Sequence, residues 1–201
     1  MRTQLLRSLS VVIAVAAIAA VQNDAADVRR LVEVLELHAG SVVADIGAGD
    51  GVLTMPIARE VGPSGRVYAT ELGGGSLDRL RTAVAKSGLA NIEVVEGDPA
   101  RTNLPPECCD AIFIRNVYHH FADPPAMNTS LLESLKRGGR LAIIDFAPTG
   151  SEAASPADRA REKTHGIGAE TVARELQHAG FALVATERRE TQGFLLVARK
   201  P

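Results

Sequence analysis

Three acidic residues and a cluster of glycines recur along this chain at spacings that suit the capture of a nucleoside. In Asp45-Ile46-Gly47-Ala48-Gly49-Asp50-Gly51 an apolar run ends in glycines. Without a Cβ, these residues let the backbone turn sharply and approach a ligand closely. A dinucleotide fingerprint would require its third glycine at position 52, but that residue is Val52 and the glycine stands one place earlier, at Gly51. Glu71 follows about 20 residues after the loop, where a carboxylate can accept hydrogen bonds from two ribose hydroxyls. Asp98, in Glu96-Gly97-Asp98, can accept from an exocyclic amine. Further on, the adjacent His119 and His120 offer a group of near-neutral pKa that can take a proton from a phenol, hydroxyl or amine. The plainer reading of the pair has one ring packed against the fold, or capping the next helix, and the other solvated.

Chemistry at these positions requires elements that bring them to one edge. Val42 to Ile46 reads as a buried strand, followed by the glycine turn and a helix running to Val61; Pro63-Ser64-Gly65 then turns the chain into a second strand, Arg66 to Thr70. Leu77, Leu80 and Val84 mark a helical face that ends at Gly88. Further strands are expected at Ile92 to Val95, Ala111 to Ile114 and Leu141 to Phe146, with a helix from about Pro125 to Lys136 stopped by Gly138-Gly139. Strands alternating with helices in this way build βαβ units on a parallel sheet. After a helix from Ala169 to Ala179, Phe181 to Glu187 and Phe194 to Ala198 are joined by a short polar connection, which permits a hairpin and forbids a parallel crossover. The expected fold class is α/β, a three-layer Rossmann-like sandwich around a mostly parallel seven-stranded sheet with an antiparallel last strand. In such sheets the ligand sits beyond the carboxyl ends of the strands, where Asp45, Glu71 and Asp98 all fall.

Composition narrows the class of partner. The 201 residues carry 22 Lys+Arg against 24 Asp+Glu, so no sign of charge dominates and nucleic acid is not an expected partner. Cys108 and Cys109 are the two cysteines, and their adjacency neither builds a disulfide framework nor supplies spaced zinc ligands. They read as ordinary thiols entering a strand, with a disulfide between them as the alternative after export. Around Asp145 no cluster of hard ligands is visible, and no metal is expected.

The segments Val42 to Gly51, Gly65 to Glu71, Glu96 to Asp98, Cys109 to Phe121 and Leu135 to Phe146, in this order and spacing, resemble the class I S-adenosylmethionine-dependent methyltransferases of the small-molecule group. The likeness extends from about Asp27 to Lys200. It implies S-adenosyl-L-methionine as cofactor and a small molecule as methyl acceptor. It further implies that Asp45, Gly47, Gly49 and Gly51 hold the methionine moiety, Glu71 the ribose and Asp98 the adenine amine. Asn116 would then face the methionine end of the cofactor and the acceptor. Two features depart from the family pattern. Leu72-Gly73-Gly74-Gly75 stands where relatives continue straight into a helix, which is expected to loosen the ribose side, and Pro99 removes a backbone donor beside the adenine. The alternatives are a binding protein that has lost catalysis, and an NAD(P)-dependent oxidoreductase, against which Val52 and Asp98 argue.

The first residues look like an address. Arg2 and Arg7 precede an apolar run from Val11 to Val21, and Ala17-Ile18-Ala19 offers the small-x-small pattern of a cleavage site. Residues 1–22 therefore read as a signal peptide or membrane anchor, the only expected route to membrane contact, with residues 23–201 as the methyltransferase domain. An exported or anchored protein is expected; a core helix in a cytoplasmic protein is the alternative. A helix starting at Asn23 or Asp24, with Val28, Leu31, Val32 and Leu35 on one face, is expected to end at Gly40. His165 is a lone candidate in a substrate-covering loop, and Arg159, Arg161 and Lys163 read as a solvated helix face.

Overall fold

A computed structural model describes residues 24–160, 166–190 and 192–201. The expected leader and anchor readings of residues 1–22, and the candidates Arg161, Lys163 and His165, lie outside the described residues.

The chain opens with a helix over residues 24–34 (α1), then alternates β1 (Val42–Ile46), α2 (Thr54–Val61), β2 (Arg66–Leu72), α3 (Gly75–Ser87), β3 (Ile92–Gly97) and β4 (Cys109–Arg115). A single 3-10 turn, Tyr118–His120, leads to α4 (Pro124–Ser134) and β5 (Leu135–Phe146). These are followed by α5 (Pro156–Arg159), α6 (Ala169–His178), β6 (Ala182–Arg188) and β7 (Gly193–Arg199). The seven strands form one sheet in the order β3-β2-β1-β4-β5-β7-β6. The first five are mutually parallel, and β7 runs antiparallel to both β5 and β6. The expected sandwich, with its antiparallel final strand, is the observed fold.

Alternation along the strands assigns each face its own helices. Ala44, Ile46, Ile112, Ile114, Leu141 and Ile143 pack with Leu131 of α4 and Val172 and Leu176 of α6. Val43, Val67, Phe113 and Ala142 pack on the other face with Leu31 of α1 and Ile57, Ala58 and Val61 of α2. Each fully buried Val, Leu or Ile contributes roughly 1.5–3 kcal/mol. That two-sided burial is why β4 reads as a continuous apolar run rather than an alternation.

Three boundaries differ from expectation for physical reasons. The first helix ends near residue 34, because Glu36 takes a left-handed conformation (φ 55°) and the Leu37 N–H returns to the Val32 carbonyl. Gly40 is not its terminator. The chain enters β5 at Leu135, before the glycine pair, and β4–β5 pairing shifts register between Cys109 and Ala111 to absorb the early start. β2 runs on to Leu72, beyond the expected Thr70, and Gly73 and Gly74 then turn the chain directly into α3. A Cβ on Gly73 would lie 2.6 Å from a carboxylate oxygen of Glu96, so a side chain there would require the Glu96 carboxylate to move. Cys108 and Cys109 are joined to each other as a disulfide, not free thiols.

Candidate active site

The strand order fixes the candidate residues in a row. With β3-β2-β1-β4 adjacent and parallel, Asp98, Glu71, the glycine loop and Asn116 follow one another along the carboxyl edge of the sheet. The loop itself is held by the neighbouring strand: the Gly47 and Ala48 N–H groups donate to the Thr70 carbonyl at 3.0 and 2.8 Å. Gly47, Gly49 and Gly51 all have positive φ, of 73°, 58° and 77°. Their surroundings differ in an informative way. A Cβ on Gly47 would collide with Val117 at 2.7 Å and one on Gly51 with Met55 at 2.7 Å, whereas one on Gly49 would meet nothing within 4 Å. Gly47 is thus closed off by the branched Val117 and Gly51 is covered by the flexible tip of Met55, whereas the space above Gly49 is open.

Glu71, half-buried, does more than sequence suggests. One carboxylate oxygen accepts the Gly49 N–H at 2.7 Å and the other accepts the Leu72 N–H at 2.9 Å, so it clamps the glycine loop from β2. Asp50 pairs with Arg79 of α3 across 3.0 Å on the outside of the same loop. Asp45 is buried and accepts from the Thr54 hydroxyl at 2.6 Å. Burial pushes its carboxyl up to about 7; the Thr54 hydrogen bond opposes this, the Glu71 charge adds to it, and the Arg115 charge opposes it. Asp98 is exposed and accepts the Ala100 N–H at 2.9 Å. Asn116 is exposed in a left-handed conformation (φ 56°), its N–H bonded to the Ile144 carbonyl at 2.8 Å.

The two histidines part company in burial yet stay together in space. His119 is buried, with Nδ1 2.8 Å from Asp145, and its own backbone N–H donates to the other carboxylate oxygen at 3.2 Å. His120 is exposed, and its ring centroid lies 4.0 Å from that of His119. Val117, which precedes this turn, is the residue packed on Gly47, so the histidine turn abuts the glycine loop. Among the described residues no group of three or more side chains is disposed to hold a metal ion.

Beneath this turn lies a polar network that sequence reasoning missed. Arg159 is 3% exposed and pairs with Glu152 at 3.5 Å and Glu175 at 3.4 Å, which overturns its reading as part of a solvated patch. Glu175 also accepts the Tyr118 hydroxyl at 3.0 Å, and that hydroxyl in turn accepts from the Asn128 amide at 2.7 Å. Burial raises the Tyr118 phenol above its ordinary range, and the Glu175 charge adds to the effect. The single hint in the sequence is that Glu175 lies beside the buried Val172 and Leu176 on the inward face of α6. A second group of ion pairs fastens α1 to the sheet edge. Arg115, the last residue of β4, reaches Asp24 at 2.6 Å and buried Asp27 at 2.7 Å, and Arg189 also pairs with Asp27. An open cleft near the start of β2, lined by Arg59, Arg66 and Asn91 among others, lies at the opposite edge and holds none of the candidate residues.

Residues 43–139 match the family described as a methyltransferase domain. A ubiquinone/menaquinone biosynthesis C-methyltransferase UbiE from Pseudomonas putida is 34% identical over 124 residues, covering 59% of this chain and 47% of that protein. The chain thus spans about half the length of such curated relatives. In fold it is similar to an S-adenosylmethionine-dependent methyltransferase from Aquifex aeolicus, with TM-score 0.75, 24% identity, and coverage of 87% of this chain and 90% of that one. It is also similar to phosphoethanolamine N-methyltransferase 2 of Haemonchus contortus, solved in complex with S-adenosyl-L-methionine, with TM-score 0.69, 16% identity, and coverage of 85% and 51%.

Proposed function

We propose that this chain, whose residues 43–139 match a methyltransferase domain family, is a class I enzyme that transfers a methyl group from S-adenosyl-L-methionine to a small-molecule acceptor by in-line displacement. The observation that carries this reading is the open space above Gly49, in a loop clamped by Glu71 and placed between the ends of β2 and β4. A ligand seated there meets backbone rather than side chain, as a cofactor's methionine end requires. In this reading Asp45, Gly47, Gly49, Gly51 and Asn116 surround the methionine end. Glu71 holds the ribose while keeping its grip on the Gly49 N–H, and Asp98 receives the adenine amine with its remaining acceptor capacity.

The bound cofactor supplies a sulfonium-borne methyl group. The chain's part is to align the acceptor with it, since positioning is the large term in a displacement of this kind. His119 and His120, on a turn packed against the glycine loop, stand where an acceptor's proton would leave. The C-methyltransferase relatives support a finer proposal, an acceptor of the quinol type, whose ring carbon is made nucleophilic by its hydroxyl groups. Residues 1–22 act in this proposal as an export leader or membrane anchor, on the strength of their charge and apolarity. N-terminal sequencing of the native protein checks that assignment, and an intact Met1 on soluble protein would contradict it.

The test is methyl transfer. Protein incubated with methyl-labelled S-adenosylmethionine and either 1,4-naphthohydroquinone or simple phenols is expected to yield labelled product. Binding of S-adenosylhomocysteine without transfer to any acceptor, including those in an extract of the native cells, would instead favour the non-catalytic reading.

A further inference from the structure

We infer that Asp145 and His119 form a positioning pair behind His120, and that this arrangement commits the site to acceptors that lose a proton on methylation. The inference rests on the methyl-transfer reading and deepens it. Asp145 is fully buried near the end of β5, 26 residues beyond His119 in sequence. Its carboxylate receives three donors: the His119 ring at 2.8 Å, the His119 backbone N–H at 3.2 Å and the Phe146 N–H at 2.9 Å. A carboxylate facing Nδ1 places the ring proton there and the lone pair on Nε2. Phe146 packs against the same imidazole, with ring centroids 5.0 Å apart. The outcome is one ring held in orientation and tautomer, with the exposed His120 ring tilted against it at 4.0 Å.

A buried carboxylate and imidazole are a costly way merely to hold a turn, because both lose hydration that their mutual contact only partly returns. The placement suggests a second use. A cation forming on His120 lies one ring away from the buried carboxylate and is attracted by it. The acceptor's electron pair forms the bond to the methyl carbon, and the carbon–sulfur bond breaks with its pair remaining on sulfur. The acceptor's O–H proton passes to His120. His120 is thus the catalytic residue, and His119 and Asp145 position it. A thioether or tertiary amine, which has no proton to give up, gains nothing from this device.

The experiment uses full-length protein with S-adenosylhomocysteine bound and ¹⁵N-labelled histidine. His119 is expected as the Nδ1–H tautomer in the parent, and Asp145→Asn is expected to remove that tautomer's dominance. A His119 ring protonated on Nε2 in the parent, or a tautomer indifferent to Asp145→Asn, overturns the inference. In parallel, transfer to 1,4-naphthohydroquinone and to dimethyl sulfide is compared. His120→Ala and Asp145→Asn are expected to lower kcat for the hydroquinone at least about a hundredfold, the low end of general-base contributions. KM and cofactor affinity should stay within about twofold, since neither residue is assigned to binding. Equal losses on the two acceptors, or transfer by the parent to dimethyl sulfide alone, would contradict the inference. A parent that fails to bind S-adenosylhomocysteine would instead defeat the methyl-transfer reading on which it rests.

Discussion

The two halves of the carboxyl edge are built on opposite principles. From β1 to β3 the site is made of backbone: glycines in left-handed conformations, N–H groups tied to Thr70 and Glu71, and open space over Gly49. From β4 to α6 it is made of paired side chains, buried His119 with buried Asp145 and buried Arg159 with the partly buried Glu152 and Glu175. Under the proposed function the first half would serve the cofactor, whose shape does not vary, and the second would face the acceptor. Substitutions in the first half should therefore act on cofactor affinity, and those in the second on stability or turnover.

Gly49→Val should have the largest effect. A branched side chain would fill the open space, so cofactor affinity should fall beyond detection, while its strain at φ 58° lowers the melting temperature of a still folded protein. Calorimetry with S-adenosylhomocysteine on the folded variant checks this, and unchanged affinity would erase the contrast between the halves. Arg159→Met should do the reverse. By stranding two glutamates it should cost about 3 kcal/mol of stability, the scale for breaking a buried pair, with cofactor affinity intact. Denaturant unfolding measures this, and a Glu175→Gln change in the same chain should recover part of the loss. Glu71→Ala should weaken cofactor binding by about 1.5–3 kcal/mol, and Glu71→Gln by less, because a hydrogen bond to a charged group is lost in the first and only discharged in the second.

The contrast also explains what could be read in advance. The strand ends at Asp45, Glu71 and Asp98 were legible because βαβ alternation alone brings them to one edge, and the glycines advertise a turn that few other residues can make. The role of Glu71 as a loop clamp was not, since it depends on a backbone N–H 22 residues away in sequence. Arg159 was misread because a charged residue near Glu and Asp in sequence looks solvated. Only the packing of α5 against the 3-10 turn, with the ion pair to Glu175 of α6, buries it. Asp145 gave no sign of its partner for the same reason: β4 and β5 are neighbours through a crossover, and register pairing sets which residues meet.

The smallest effect is expected from the buried acid shared by both faces of this account. Asp45 holds its proton to about pH 7 when folded, against 3.8 for the ordinary carboxyl, so between these values the folded state binds more protons than the unfolded one. Its contribution to stability is complete below about pH 4 and is lost as pH rises through 7. Asp45→Asn removes that slope. Measured by urea unfolding, the variant should gain on the parent progressively from pH 4 to pH 8, while losing cofactor affinity. A difference between the two that does not change with pH would show that Asp45 is ionised throughout.

The central claim is that the carboxyl edge of β1 to β3 is a site for S-adenosylmethionine and not for a dinucleotide. Isothermal titration of the full chain with S-adenosylhomocysteine and, separately, with NAD tests it most directly. The account predicts saturable binding of S-adenosylhomocysteine, abolished by Gly49→Val, and no heat from NAD. Saturable binding of NAD, with no response to S-adenosylhomocysteine, would contradict it.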